Sequence, residues 1–262
     1  LDALPFPDRS TVHRYHYTIS GEKATTLLSS RGCNGACAFC AKMHARIRLR
    51  SVANVLAEVD EIMTLGYKAL MFYDDNIAMD PARLEGICHG LRERGIIWRC
   101  LARADHLPES LLATMAKSGC QELLLGAESG SQRLLDNINN GETVESNVTA
   151  ALMAKKHGIR VKFCLIVGLP GENRESIEET KAMIRKANPD DMDLSLLNVY
   201  PGSAIHRHPE RYDLKFHNAV AYKGRPEEMT STVRTSAMSE TDLTSAYREL
   251  VEEFKGIKLQ RG

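Results

Sequence analysis

The chain has 262 residues, 43% of them apolar, and its 34 basic and 34 acidic side chains cancel to a formal charge of zero. That length suits one large α/β domain or two small ones, with enough apolar material for a full core. The charge balance argues against a surface that tracks bulk nucleic acid, and no run of about 18 apolar residues offers a membrane span.

Residues 1–24 read as an N-terminal linker, without the basic and then apolar regions of a secretory signal. Leu rather than Met at position 1 suggests a chain cut from something longer or processed. Thr25–Ser29 reads as a short buried strand. Ser51–Leu65 is amphipathic, with Ser51 as N-cap and Gly66 as its C-terminal stop. Ala69–Tyr73 is the next strand, and Asp80-Pro81 opens a helix that runs to about Arg94. Ile96–Leu101 is a strand, Pro108–Lys117 a helix, Glu122–Leu125 a strand and Ser131–Asn137 a short helix. Thr143–His157 is a helix, Arg160–Val167 a strand, Arg174–Lys186 a helix and Met192–Val199 the last strand. Residues 206–234 hold little periodicity and read as loop. Ser239–Phe254 closes the chain as a helix, with Ser239 and Asp242 arranged as a capping box.

Six strand–helix units in series predict a parallel sheet with right-handed crossovers, curled into a partial (β/α)6 barrel over 25–205. Residues 206–262 form a C-terminal extension, loop and then helix. Barrels of this kind place chemistry at the C-terminal ends of their strands.

The loop after the first strand holds Cys33, Cys37 and Cys40, spaced C-x3-C-x2-C. Seven cysteines, three of them within eight residues, do not fit a disulfide framework. A reducing cytoplasm with thiolates reserved for metal fits better. Zinc would want a fourth Cys or His at its own short spacing. Cys88, Cys100, Cys120 and Cys164 stand alone and read as small core hydrophobes; His44 is the nearby alternative ligand. Three thiolates can instead hold a cubane [4Fe–4S] cluster and leave one iron open. Gly32 and Gly35 let the loop wrap tightly, and Phe39 can shield a cluster face or touch a bound ring.

This triplet, with an aromatic residue before its third cysteine, resembles the signature of the radical SAM superfamily, and the likeness extends over about residues 25–205. The resemblance implies a partial barrel whose open iron is chelated by the amine and carboxylate of S-adenosylmethionine (SAM). One electron from the cluster then releases a 5′-deoxyadenosyl radical. The cofactors carry the hard chemistry, and the protein positions and shields them.

Other strand ends carry further candidates. Asp74 and Asp75, after the second strand, could meet an ammonium group; the family places residues for the SAM amine here, and either of the two could serve. Arg103, after the third, could clamp a carboxylate. Gly126-Ala-Glu128-Ser129-Gly130 resembles the family's G-x-E-S-G stretch, in which Glu128 or Ser129 would bond the SAM ribose or amine. Gly168-Leu-Pro-Gly-Glu172 resembles the stretch whose backbone, near Val167 and Gly168, meets adenine. Glu172 itself reads as a cap for the following helix. Tyr200-Pro-Gly-Ser203 resembles the family's Y-P-G-[ST] turn, in which Tyr200 could border adenine or simply anchor the turn.

The same motifs, with the opening Ala3–Arg9 segment, resemble the branch in which a cobalamin-binding domain precedes the radical SAM domain. The base-off motif D-x-H-x-x-G is absent, so any cobalamin would come from a missing or separate domain. The resemblance implies a small-molecule substrate, a reductant such as flavodoxin or ferredoxin, and a reaction that is C-methylation or a cobalamin-free rearrangement, cyclisation or dehydrogenation. No catalytic side chain is named by it. His206, His208, Tyr212, His217 and Tyr222 are candidates to line or cover the substrate mouth by position. A non-catalytic iron–sulfur or zinc module is the reading from another class.

Overall fold

The computed structural model describes residues 1–12, 15–41, 46–217 and 228–259. Two compact units divide the chain: Leu1–Asn34, His44–Leu124 and Met153–Arg160 form the first, and Gly35–Met43, Leu125–Leu152 and Val161–Gly262 the second.

The first unit opens with β1 (Thr18–Ile19) and β2 (Glu22–Leu27), an antiparallel hairpin. Its two turn residues, Ser20 and Gly21, have φ of 51° and 83°. Two positive φ values match the strand twist, as in a type I′ turn. β3 (Ser30–Arg31) pairs antiparallel with β4 (Arg48–Leu49). Then follow α1 (Val52–Thr64), β5 (Ala69–Phe72), α2 (Pro81–Arg94), β6 (Ile97–Ala102), α3 (Glu109–Lys117) and the start of β7 (Cys120–Glu128). The strand order here is β1-β2-β5-β6-β7.

The expected caps form. Ser51 Oγ accepts the Asn54 N–H at 3.1 Å, and the Asp80 carboxylate accepts that of Arg83 at 3.0 Å, with Pro81 first in the helix. β2, β5 and β6 run parallel with Leu27, Phe72 and Cys100 in register. This row is fully or almost fully buried, and each large apolar side chain in such a row contributes about 1.5–3 kcal/mol. Phe72 meets Trp98 edge-on at 5.5 Å, and Trp98 Nε1 donates to Ser118 O at 3.0 Å. The alternate row, Thr26, Met71 and Arg99, stays at least partly open, so the strand ladder has one closed and one accessible face.

The stretch read as linker is built into this unit. Arg9 is buried, and its guanidinium reaches Glu58, Thr26 O and Pro7 O. Arg50 takes the other oxygen of Glu58. Asp2 accepts the Ser51 N–H at 3.0 Å. Two-residue strands and a single buried ion are too short to register as sequence periodicity.

The second unit takes over β7 at Leu125. It continues with α4 (Gln132–Asn137), α5 (Val144–Lys156, whose end belongs to the first unit), β8 (Arg160–Val167, in this unit from Val161), α6 (Arg174–Ala187) and β9 (Asp191–Leu196). After them come α7 (Ala204–Arg207), β10 (Lys215–Phe216), β11 (Val233–Arg234), α8 (Glu240–Glu253) and β12 (Lys258–Leu259). The strand order is β7-β8-β9-β12, with β8, β9 and β12 parallel. Both α6 (Asn173 with Ser176) and α8 (Ser239 with Asp242) begin with capping boxes. Lys181 of α6 is ion-paired with Glu249 of α8, which fastens the closing helix.

Two expectations are corrected here. Residues 206–234 are not all loop, because β10 and β11 pair antiparallel within them. Cys164 is half-buried, unlike the buried Cys88, Cys100 and Cys120. It is registered with Asp193 on the more open face of β8.

Candidate functional site

In the first unit, the loop entering the cysteine triplet is held by the two aspartates after β5. Asp74 is 3% exposed. Its carboxylate accepts the Ser29 N–H and hydroxyl at 3.3 and 3.1 Å, and the Ser30 hydroxyl as well. Burial pushes its pKa up, and the two serines partly offset the rise. Asp75 is exposed and accepts the Gly32 N–H at 3.1 Å. Gly32 has a φ of 88°, and a Cβ there would lie 3.1 Å from Arg46 O, so both conformation and space require glycine. Half-buried Cys33 follows directly.

Arg103 is N-terminal to the short turn after β6. Its guanidinium grips Asp105 at 3.1 and 2.8 Å, and its N–H donates to Asn76 Oδ1 at 3.3 Å. Asn76 is fully buried and bridges this turn to the one after β5, with Oδ1 also accepting the Ala78 N–H and Nδ2 contacting His106 Nδ1 at 3.0 Å. From sequence alone Asn76 is only the third residue of a D-D-N turn, with no role of its own. The available signal was its place directly after the paired aspartates.

In the second unit, Cys37 is half-buried, Cys40 exposed and Phe39 half-buried. Ala38 between them is pinned on both sides: its N–H donates to Ile138 O at 2.7 Å, and its O accepts the Ile205 N–H at 3.1 Å. Asn139 and Asn140, just past α4, donate to Ala36 O and to Cys37 Sγ at 3.4 and 3.7 Å. A separation of 103 residues leaves no local sequence signal for either contact.

Glu128 ends β7 with a φ of 58°, unusual for a side chain of its size. A Cβ on Gly126 would lie 2.8 Å from Glu128 Oε1, so the glycine of G-x-E makes room for the carboxylate. Ser129 is buried, and its hydroxyl is engaged with Thr180 Oγ1 at 3.3 Å and the Ser131 N–H at 3.1 Å. A Cβ on Gly130 would approach Glu179 O and Thr180 Cα to 2.5 Å, so this turn lies directly on α6.

After β8, Val167 is buried, and its carbonyl accepts the Leu197 N–H at 2.8 Å. Gly168 takes a φ of 97° and donates its N–H to buried Glu172 at 3.0 Å. Glu172 also accepts the Ser176 hydroxyl at 2.6 Å, which ties the turn to the first turn of α6. Burial pushes its carboxyl up to about 7. Tyr200 is 46% exposed, in the turn that leads to Ser203, the N-cap of α7. His206, His208 and His217 are exposed; His206 lies 6.3 Å from the Phe216 ring and His217 contacts Glu240. Tyr212 lines a cavity of about 610 Å³ with Asp213 and Arg234. His44 and Tyr222 lie outside the described residues. Among the described residues, no helix is long and apolar enough to cross a membrane.

The sequence profile of the Radical SAM superfamily matches residues 27–184. The chain belongs to the radical SAM superfamily. It is 28% identical over 211 residues to an uncharacterized methyltransferase of Pyrococcus horikoshii, covering 78% of this chain and 46% of that protein. It is 32% identical over 211 residues to the cytidylyl-2-hydroxyethylphosphonate methyltransferase of Streptomyces wedmorensis, covering 70% and 38%. The chain thus spans less than half the length of these relatives. Its fold is that of the radical S-adenosylmethionine methyltransferase TsrM from Kitasatospora setae, solved with cobalamin and a [4Fe–4S] cluster bound. The TM-score is 0.68 at 17% identity, covering 76% of this chain and 43% of that one. The α/β fold is therefore the radical SAM partial barrel, and the family's cofactors are a [4Fe–4S] cluster and SAM.

Proposed function

We propose that Cys33, Cys37 and Cys40 hold the [4Fe–4S] cluster, and that this chain is the SAM-cleaving part of a methyltransferase for a small-molecule substrate. The carrying observation is the C-x3-C-x2-C loop inside the span matched by the family profile. The donor set fits: thiolates are the ligands such clusters take, and three of them leave one iron open for substrate. The main chain around them is already fixed, at Gly32 in one unit and at Ala38 in the other.

When bound, the cluster supplies the electron that breaks a C–S bond of SAM. The chain's own groups hold and orient SAM. Asp75 rather than Asp74 is the carboxylate for its amine, because Asp74's oxygens are engaged by Ser29 and Ser30 while Asp75 is exposed. Glu128, in a strained backbone conformation, is the candidate for the ribose or amine, whereas Ser129 serves to hold the turn. Val167, Gly168 and Tyr200 border adenine. Arg103, whose guanidinium already holds Asp105 through Nε and Nη2, is the candidate for the SAM carboxylate. The likeness to two methyltransferases by sequence, and to a cobalamin-bound one by fold, supports methyl transfer with cobalamin held outside this chain. An electron donor of the flavodoxin or ferredoxin class completes the set.

Anaerobic reconstitution with iron and sulfide, followed by dithionite and SAM, tests the proposal. Expected are a bound cluster and conversion of SAM to 5′-deoxyadenosine or S-adenosylhomocysteine. Alanine at any of the three cysteines should abolish the conversion. A triple variant that still binds iron and sulfide in full would overturn the ligand assignment. A stable cluster with no SAM product would leave an iron–sulfur module instead.

A further inference from the structure

Asn140 is 3% exposed, in the turn between α4 and α5. Its amide is clamped at one end, because Oδ1 accepts the Glu142 main-chain N–H at 3.0 Å. Only the oxygen end of an amide can meet an N–H donor, so this contact fixes which way the group points. The NH2 end is thereby the one that faces Cys37, with Nδ2 at 3.7 Å from Sγ. The backbone holds this aim: the Asn140 N–H is bonded to Leu135 O at 2.9 Å, and Gly141 follows with a φ of 83°. The neighbours reinforce it, with Ile138 O taking the Ala38 N–H and Asn139 reaching Ala36 O. Residues 138–140 thus grip residues 36–38 at three successive points.

We propose that Asn140 is a positioning residue for the cluster, donating an N–H···S hydrogen bond to the Cys37 sulfur that raises the cluster's reduction potential and slows its loss. This rests on the reading of Cys37 as a cluster ligand. The bond favours the reduced form because an added electron makes the ligand sulfurs more negative, and a donor stabilises the more negative acceptor more. Partners of this kind orient the ligand and govern how firmly the metal is retained.

Asn140→Asp tests it, keeping the shape and the oxygen that meets Glu142 while replacing the donor with an acceptor. The reconstituted protein is titrated potentiometrically with EPR detection, and iron release to a chelator is timed. Expected are a more negative midpoint and iron release faster by about tenfold. An unchanged midpoint with unchanged release overturns the inference. Cys37→Ala is measured in parallel: if it retains the full cluster, the ligand reading itself falls. Should Asn140→Asp not fold, pulsed EPR on reduced protein carrying side-chain ¹⁵N asparagine decides. Asn34→Ser serves as the background, since Asn34 neighbours the Cys33 sulfur. A ¹⁵N coupling to the cluster is expected, and its absence overturns the inference.

Discussion

Replacing Glu172 with glutamine asks whether the turn after β8 is held by a neutral carboxyl. The side chain is 1% exposed and accepts hydrogen bonds from Gly168 N–H and Ser176 Oγ. Burial raises its pKa from the ordinary 4.5 to about 7, with those two contacts and Arg133 offsetting part of the rise. The folded chain therefore holds this proton more tightly than the unfolded chain. The stability it contributes is complete below pH 4.5 and is lost as pH rises through about 7. At ~1.4 kcal/mol per tenfold change in acidity, the loss by pH ~8 is about 3 kcal/mol. Glutamine keeps the shape, keeps an oxygen for Gly168 and can donate to Ser176, but it has no proton to lose. Urea unfolding at mildly acidic, neutral and mildly alkaline pH reads the difference. Glu172→Gln should match the parent or fall below it in acid, and gain on it by about 3 kcal/mol on the alkaline side. Parallel stability–pH curves for the two proteins would refute the reasoning.

Glu58→Ala should cost about 3–5 kcal/mol, because it leaves Arg9 and Arg50 largely buried without their shared carboxylate; a urea midpoint equal to the parent's would show that the N-terminal segment is not anchored there. Gly130→Ala should cost about 1–3 kcal/mol through overpacking against α6. The same change should weaken SAM binding by displacing Glu128, and a calorimetric titration separates that effect from the stability loss.

Local chemistry made most of the fold legible. Ser51, Asp80-Pro81 and Ser239 each carry a cap within three or four residues, and α1, α2 and α8 begin where those residues indicate. The strand–helix alternation is likewise a property of short windows, so the parallel order follows from it. The site was legible where a motif is contiguous, as in the cysteine triplet, G-A-E-S-G and G-L-P-G-E. What each polar residue in those motifs does was not legible. Asp74 and Asp75 are adjacent and chemically identical. Alternation across the turn turns one inward onto Ser29 and Ser30 and leaves the other exposed.

The sequence by itself determined the family, the cysteine loop and the alternation of elements, because each depends on spacings of a few residues. The tertiary structure decided which polar groups are already engaged, that the first dozen residues are anchored through Arg9, and that Asn140 faces Cys37. Most of those facts depend on contacts between segments 44 to 103 residues apart, and such contacts exist only once the chain has folded.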